Sequence, residues 1–310
     1  MTLYENRFHA MGCHMLAALD KANPWAADPL EDVPAWFETW EQHLSRFRVD
    51  SELSRLNRSG GRPFPASPVL WDVFQAALAA GRRSQGWVTP TIYDALLDSG
   101  YDRSFETGLA VVGAPPQALA SPAPPLEAIQ ADPRRQTLRL PAGTHLDFGG
   151  VAKGWAAGQA LQRLQAAGPA LVDAGGDVAV GARRLDGSAW PVGVGDPFHP
   201  GDYGEVLMLS DCGVATSGRD YRRWLRDGVW QHHLIDPHTG QPARTQVISA
   251  TVIAPDVVAA EVAAKVVLLR GAGPGLEWLE SQPDHAGMLI LEDGRHVYSR
   301  HFAEWMEREI

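Results

Sequence analysis

The segment from Leu146 to Gly154 constrains the fold of this chain more than any other. It places two adjacent glycines between a short apolar run, predicted to be a strand, and the predicted start of a helix, with Lys153 in the first helical turn. Glycines at such a junction let the backbone approach a ligand, and a helix N-terminus favours an anion such as pyrophosphate. A plain strand-to-helix loop uses the same residues, so the segment alone leaves both interpretations open.

Two shorter segments also combine glycine with polar side chains. Residues 173–177 (DAGGD) favour a tight hairpin in which Asp177 bonds its own backbone, and a ligand site is the alternative. Residues 215–218 (ATSG) cluster small hydroxyl side chains with glycine in a stretch that we expect to be too polar for a core. These segments are therefore candidate parts of a site.

Residues 233–242 (HLIDPHTGQP) add a histidine and an aspartate to the same kind of composition. Pro237 keeps Asp236 in an extended conformation, so His233 and Asp236 are a candidate positioned pair. A lone histidine is more often structural, and that interpretation stays open for His233.

The hydrophobic pattern predicts an α+β architecture, because strand-like and helix-like segments interleave without a regular βαβ series. Helices are predicted over residues 34–47, 67–81, 152–167 and 257–270, with Ser67 and Asp256 as N-caps. Strands are predicted over residues 136–140, 145–148, 170–173, 178–181, 190–195 and 247–254, with a hairpin at Asp293-Gly294. The Pro- and Ala-rich stretch 115–125 is predicted to be a loop at a lobe boundary within a single domain that spans residues 1–310.

Composition narrows the class of protein. The formal net charge of -10 argues against a nucleic-acid surface, which depends on clustered Lys and Arg. The only two cysteines, Cys13 and Cys212, cannot form a disulfide framework or a zinc site and fit a reducing compartment. The first residues offer no apolar signal core, and no run reaches the ~18 apolar residues of a membrane helix. We therefore expect a cytoplasmic protein without a membrane span or nucleic-acid partner.

Taken together and in this order, these segments resemble the hallmark stretches of the ApbE family, the FAD:protein FMN transferases. The matching stretches are LDFGGVAKG at 146–154, VDAGGD at 172–177, ATSG at 215–218 and HLIDPHTGQP at 233–242. Shorter matches are Met11-Gly12, SELSRLN at 51–57 and Pro90-Thr91, so the resemblance runs from about residue 9 to residue 271. It implies the family's fold, which has mixed sheets with flanking helices in two closely packed lobes.

The resemblance implies that the chain binds FAD in a crevice around residues 146–154 and passes the FMN half to a threonine of an acceptor protein, releasing AMP. Catalysis would involve His233 or Asp236, which would orient or deprotonate the acceptor hydroxyl, and Lys153, which would steady phosphate. The residues that would line the FAD pocket are Met11, Phe47, Ser51, Glu52, Gly149, Gly150, Ala152, Lys153, Gly176, Asp177, Ser217, Gly218, His233 and Ile235.

Phe47 occupies the position where relatives commonly have a tyrosine beside the flavin ring. Its aromatic face would preserve stacking on the flavin. The alternative is one more core aromatic, which fits less well because Phe47 lies at the end of the predicted helix, beyond the stripe of Trp36 and Trp40.

The expected magnesium position departs from the family pattern. The resemblance implies metal ligands at the Ala152 carbonyl and at an aspartate and a threonine four residues apart on the late helix, where this chain has Glu261 and Lys265. Magnesium requires oxygen ligands in octahedral geometry, so either Ala152 and Glu261 retain some metal binding or Lys265 replaces the ion. A surface ion pair is a third interpretation, because Glu at i and Lys at i+4 is a favourable helical spacing.

Two other activities remain open for such a chain. Loss of the metal ligands would suit an FAD carrier or sensor without transferase activity. An FAD pyrophosphatase that gives FMN to water is the other alternative, and it would require magnesium more strictly.

Overall fold

A computed structural model describes residues 2–22, 29–104, 121–226 and 228–306. The chain divides into two compact units. The first unit comprises Met1–Phe37, Lys153–Tyr221 and Thr245–Ile310, and the second comprises Glu38–Ala152 and Arg222–Arg244. Most of the predicted 115–125 loop lies outside the described residues, so the lobe boundary there stays a prediction.

Strands and helices are numbered in chain order over the described residues. The strands are β1 (Thr2–Ala10), β2 (Cys13–Lys21), β3 (Phe64–Pro65), β4 (Gln130–Asp132), β5 (Thr137–Arg139), β6 (Ala170–Ala174), β7 (Asp177–Val180), β8 (Trp190–Gly195), β9 (Tyr203–Leu209), β10 (Cys212–Gly218), β11 (Arg223–Arg226), β12 (Val229–His232), β13 (Ile235–Asp236), β14 (Gln241–Pro242), β15 (Val247–Ala254), β16 (Ala286–Leu291) and β17 (His296–Tyr298). The α-helices are α1 (Val33–Leu44), α2 (Glu52–Asn57), α3 (Pro68–Arg83), α4 (Tyr93–Asp98), α5 (Ala152–Leu164), α6 (Val257–Arg270) and α7 (Ala272–Glu280). Short 3-10 helices lie at Pro29–Asp32, Pro90–Ile92, Leu126–Ala128 and Phe302–Glu304. Among the described residues, every helix is too short or too polar to span a bilayer.

The first unit is built on an antiparallel sheet with the strand order β1-β2-β6-β7-β10-β15-β16-β17. Two of its hairpins turn on residues with positive φ. Met11 and Gly12 join β1 to β2, and Gly175 and Gly176 join β6 to β7. Gly175 has no space for a side chain, because a Cβ there would lie 2.6 Å from the Cβ of Cys13. The DAGGD segment is therefore a hairpin turn, as predicted. The expected role of Asp177 in that turn was wrong, because Asp173 is the residue that accepts the N–H of Gly176, at 2.7 Å, and the side chain of Asp177 accepts a hydrogen bond from Lys153 instead.

The two faces of this sheet are buried by different elements. One face packs on the β8–β9 hairpin, with Val214 of β10 in the same apolar cluster as Trp190. The opposite face packs on α6, where Ala215 of β10 contacts Ala259 and Ala260. Because neighbouring residues of a strand point to opposite faces, Ala215 and Ser217 share the face that α6 covers. The ATSG segment is thus in a buried strand, and our expectation that it is too polar for a core was wrong.

The second unit contains α2, α3, α4 and the small sheet β3-β5-β4 with two separate hairpins, β11–β12 and β13–β14. One of its hydrophobic clusters is formed by Leu96, Tyr101, Trp224 and Ile235. The predicted cap of α3 is confirmed, since the Ser67 hydroxyl accepts the N–H of Leu70 at 3.2 Å.

Several predicted boundaries shift in the structure. Helix α1 ends at Leu44, so Phe47 lies three residues beyond it, and α5 ends at Leu164 rather than at residue 167. The strand predicted over 145–148 is wrong, because this backbone bonds to other groups. Asn57 both accepts the N–H of Leu146 at 2.8 Å and donates to its carbonyl at 2.9 Å. An extended segment held by a side chain needs no ladder partner.

Candidate functional site

The predicted site residues are distributed over both units. The first unit contains Met11, Lys153, Gly176, Asp177, Ser217, Gly218, Glu261 and Lys265. The second contains Phe47, Ser51, Glu52, Gly149, Gly150, Ala152, His233, Ile235 and Asp236. Each group takes its geometry from the elements of its own unit.

Two ion pairs lie on the sheet face that α6 covers. Asp177 pairs in register with Ala215, so its side chain points to that face, and its Oδ2 accepts a hydrogen bond from Nζ of Lys153. On α6 itself, Nζ of Lys265 donates to Oε1 of Glu261 at 3.0 Å. Glu261 is fully buried and Asp177 is 2% exposed, so neither pair is a surface ion pair.

Glu261 also caps the start of helix α5. Its Oε2 accepts the N–H of Gly154 at 2.9 Å. This approach requires glycine, because a Cβ on Gly154 would lie 2.8 Å from that oxygen and 3.1 Å from the carbonyl oxygen of Val257. The helix N-terminus that we expected to favour an external anion therefore already binds a carboxylate of the protein, the arrangement that the helix dipole stabilises.

Burial dominates the titration of two carboxylates of the first unit, Glu261 and Asp173. Burial raises the pKa of Glu261, the nearby charge of Asp177 raises it further, and Lys265 and Lys153 oppose the shift. Burial likewise raises the pKa of Asp173, while the N–H that Gly176 donates to it at 2.7 Å lowers it. Lys265 and Lys153 are thus the groups that offset the negative charge of Glu261.

The residues on this face do not fit a magnesium ion. Magnesium requires oxygen ligands in near-octahedral geometry at about 2.0–2.1 Å. Both oxygens of Glu261 already accept hydrogen bonds, and the Lys265 ammonium beside Oε1 would repel a dication. Within the described residues, no group of three His, Cys, Asp or Glu side chains could hold a metal ion. The positive charge beside Glu261 is instead the ammonium group of Lys265.

Three other predicted residues of the first unit lie at strand ends. Met11 forms the β1–β2 turn with φ 49. Ser217, which is 7% exposed, and Gly218 end β10 and pair with β15. The positions of Ser217 and Gly218 follow from the pairing of β10 with β15. The ATSG motif lies at the end of β10, although the sequence did not predict that strand.

Phe47 presents an exposed aromatic ring in the second unit. It is 41% exposed, so its interpretation as a core aromatic is wrong. The ring meets the edge of Tyr101 with centroids 5.6 Å apart, and Tyr101 in turn stacks on Trp224 at 5.5 Å and contacts His233 at 6.3 Å. Phe47 thus has a supported side and an open side, as a ring that stacks on a ligand requires.

Ser51 and Glu52 hold the elements around Phe47 together. The Ser51 hydroxyl donates to the Ser45 carbonyl at 2.5 Å and caps α2. Glu52, 4% exposed, accepts hydrogen bonds from the Ser67 hydroxyl at 2.5 Å and from the Ser67 N–H at 2.7 Å. Its Oε2 also lies 2.5 Å from Nδ1 of His43. These contacts connect the loop that carries Phe47 to the caps of two helices.

His233 and Asp236 were predicted to be a positioned pair. In the structure each has its own hydrogen-bond partners. His233 is half-buried, with Nδ1 3.4 Å from the carbonyl oxygen of Arg222. Asp236 accepts the backbone N–H of His238 at 2.9 Å and lies 3.1 Å from its Nδ1. Ile235 between them is buried, so the segment is fixed at its centre.

The sequence did not predict the contact between Arg46 and Asp147 of the second unit. Nε of Arg46 pairs with Oδ2 of Asp147 at 2.7 Å. The signals were present, because Asp147 interrupts the apolar run of the 146–148 segment and Arg46 precedes Phe47. What joins them is a contact between distant parts of the chain, which no local pattern indicates.

Comparison with known proteins gives a consistent result. A sequence model of the ApbE family matches residues 11–290. The FAD:protein FMN transferase of Treponema pallidum is 32% identical over 291 residues, covering 86% of this chain and 78% of that protein. The FAD:protein FMN transferase of Vibrio cholerae serotype O1 is 26% identical over 285 residues, covering 86% of this chain and 81% of that protein.

Solved structures show the same fold. The crystal structure of the ApbE protein of Thermotoga maritima has a TM-score of 0.86 at 24% identity and covers 99% of this chain and 100% of its own. The flavin transferase ApbE of Vibrio cholerae has a TM-score of 0.79 at 22% identity, with 98% and 99% coverage. The predicted α+β fold of the ApbE family is confirmed.

Proposed function

Since this chain belongs to the ApbE family, we propose that it is an FAD:protein FMN transferase that passes FMN to a threonine of an acceptor protein. The observation that carries the proposal is the hydrogen bond between Lys153 and Asp177. These residues come from two separate hallmark stretches and form a part-buried hydrogen bond, which supports a role for Lys153 as a fixed positive charge in phosphate chemistry.

The reaction exchanges one phosphorus–oxygen bond for another. The threonine oxygen bonds to the phosphorus of the FMN half, the bond from that phosphorus to the oxygen bridging to AMP breaks, and AMP leaves. The hydroxyl proton passes to a base, which we assign to His233, because an imidazole accepts protons near neutral pH. Asp236 is engaged by His238, so its proposed role is to orient the segment that carries His233.

We further propose that Lys265 takes the role that magnesium has in the family pattern. Lys153 and Lys265 each carry a positive charge on the same buried sheet face, where charge is screened less than in water. An ammonium can offset phosphate charge without needing the oxygen ligands that this face lacks. The proposed transfer is therefore independent of divalent cations.

Magnesium binding tests the role of Lys265 without an activity assay. The melting temperature of the wild-type protein is expected to be the same in magnesium and in EDTA. The double variant Glu261→Asp/Lys265→Thr restores two oxygen ligands, so magnesium should raise its melting temperature. A wild-type protein that magnesium stabilises as strongly as this variant would contradict the proposal.

Transfer itself is tested with an acceptor domain that a related FAD:protein FMN transferase already modifies. Intact mass measurement should show the acceptor gaining one FMN, with an equal amount of AMP released, and the acceptor with its threonine changed to alanine should gain nothing. His233→Ala should lose transfer while FAD binding remains. AMP without a modified acceptor would indicate a pyrophosphatase, and FAD returned intact would indicate a carrier or sensor.

The acceptor threonine is the partner that this chemistry requires. We also propose a cytoplasmic location, supported by the presence of Cys13 and Cys212 as thiols.

A further inference from the structure

Arg46 is a buried cation placed against aromatic rings. Its side chain is 4% exposed. The guanidinium carbon lies 4.2 Å from the ring centroid of Phe47, 4.5 Å from that of Tyr101 and 5.7 Å from that of Tyr93. A guanidinium can stack on ring faces while its edge donates hydrogen bonds, which an ammonium cannot do.

The same guanidinium is connected to the glycine turn of the 146–154 segment. Its Nε pairs with Oδ2 of Asp147 at 2.7 Å, and the other carboxylate oxygen of Asp147 accepts the N–H of Gly149 at 2.7 Å. Asp147 is therefore a bridge with one oxygen toward Arg46 and one toward the glycine turn. A continuous chain of contacts leads from the exposed ring of Phe47 through Arg46 and Asp147 to Gly149.

Stability alone accounts poorly for this arrangement. A buried ion pair gains little over apolar side chains of the same volume, because removing both charges from water is unfavourable. Moreover, Nη2 of Arg46 is buried without a hydrogen-bond acceptor among the described residues. Such an unsatisfied donor is uncommon in a core, and it indicates that the position of the guanidinium against the rings matters more than its hydrogen bonds.

We propose that Arg46 is a positioning residue for the FMN half of FAD. This inference rests on the proposed function and on the expected FAD pocket, in which the open side of Phe47 stacks on the flavin ring and the glycine turn at Gly149 approaches the rest of the FMN half. Arg46 supports Phe47 from its inner side and, through Asp147, holds the glycine turn at a set distance from that ring. It orients both groups without contacting the reacting atoms, so its loss should weaken flavin recognition rather than the chemical step.

The test compares how tightly two variants bind FAD and each of its halves, FMN and AMP. Arg46→Lys keeps the charge but cannot stack as a planar fork, and Arg46→Met/Asp147→Asn removes the ion pair without leaving one charge buried alone. Dissociation constants for FAD, FMN and AMP, flavin fluorescence quenching and melting temperature are measured for each. Arg135→Lys, at an arginine whose side chain is 81% exposed in the same unit, is the matched control.

In both variants we expect FAD and FMN to bind about tenfold more weakly, a change of roughly 1.4 kcal/mol, with less quenching and unchanged AMP binding. In the transfer assay, KM for FAD should rise while kcat stays near the wild-type value. Equal loss for FAD, FMN and AMP, unchanged FMN binding in folded variants, or failure of both variants to fold would overturn the inference. If the wild-type protein does not bind FAD, the proposed function itself fails, which the wild-type titration reveals separately.

Discussion

Glu261 is fully buried, and it joins helix α6 to the start of helix α5 through one oxygen while pairing with Lys265 through the other. The pairing with Lys265 follows from their spacing of four residues on one helix, and it was predictable. The bond to Gly154 was not, because the two residues are 107 positions apart. A fully buried carboxylate with both oxygens engaged is held in one position.

Helices α5 and α6 lie close together at Gly154, and substitution of this glycine tests that contact. Gly154→Ala should lower the free energy of unfolding by about 1–3 kcal/mol, because the new methyl group would overlap Glu261 and the Val257 carbonyl oxygen. Urea denaturation measures the effect.

Gly158 on the same helix is the matched control. A Cβ there would lie 3.6 Å from a side-chain carbon of Val257, which is ordinary contact. Gly158→Ala should therefore be neutral or stabilise by up to ~1 kcal/mol, since alanine is the better helix former. Equal stability changes in the two variants would contradict the tight packing at Gly154.

The bounds of α6 and β15 match the prediction, because the sequence patterns that indicate these elements lie within them or next to them. Asp256 accepts the N–H of Ala259 at 2.8 Å, and this cap fixes the first residue of α6. The 145–148 segment failed as a strand prediction because its partner is the side chain of Asn57, 89 residues from Leu146. Short apolar runs do not reveal such long-range partners.

The cap of α6 is testable by substitution. Asp256→Ala should lower the free energy of unfolding by about 0.5–2 kcal/mol, whereas Asp256→Asn keeps an oxygen acceptor and should change it little. Urea denaturation of both variants separates loss of the cap from loss of charge. Equal destabilisation by the two substitutions would show that the charge, not the hydrogen bond, matters.

For the molecule as a whole, the order of the hallmark stretches was enough to predict the family and its α+β fold. It could not predict that the first unit is assembled from three separate parts of the chain, nor that Lys265 and Glu261 form a buried pair rather than a surface one. Arg46 and Asp147 were missed for the same reason, since their roles depend on contacts between distant segments. The order of the motifs therefore predicts the family, whereas the pairing of charged side chains from distant segments is seen only in the structure.

We propose that this protein transfers FMN with a lysine in place of magnesium. The most direct measurement is the intact mass of the acceptor domain after incubation with FAD and protein stripped of metal, in EDTA and in magnesium. We predict a gain of one FMN at equal rates under both conditions. Transfer that stops in EDTA and returns with magnesium would contradict the claim.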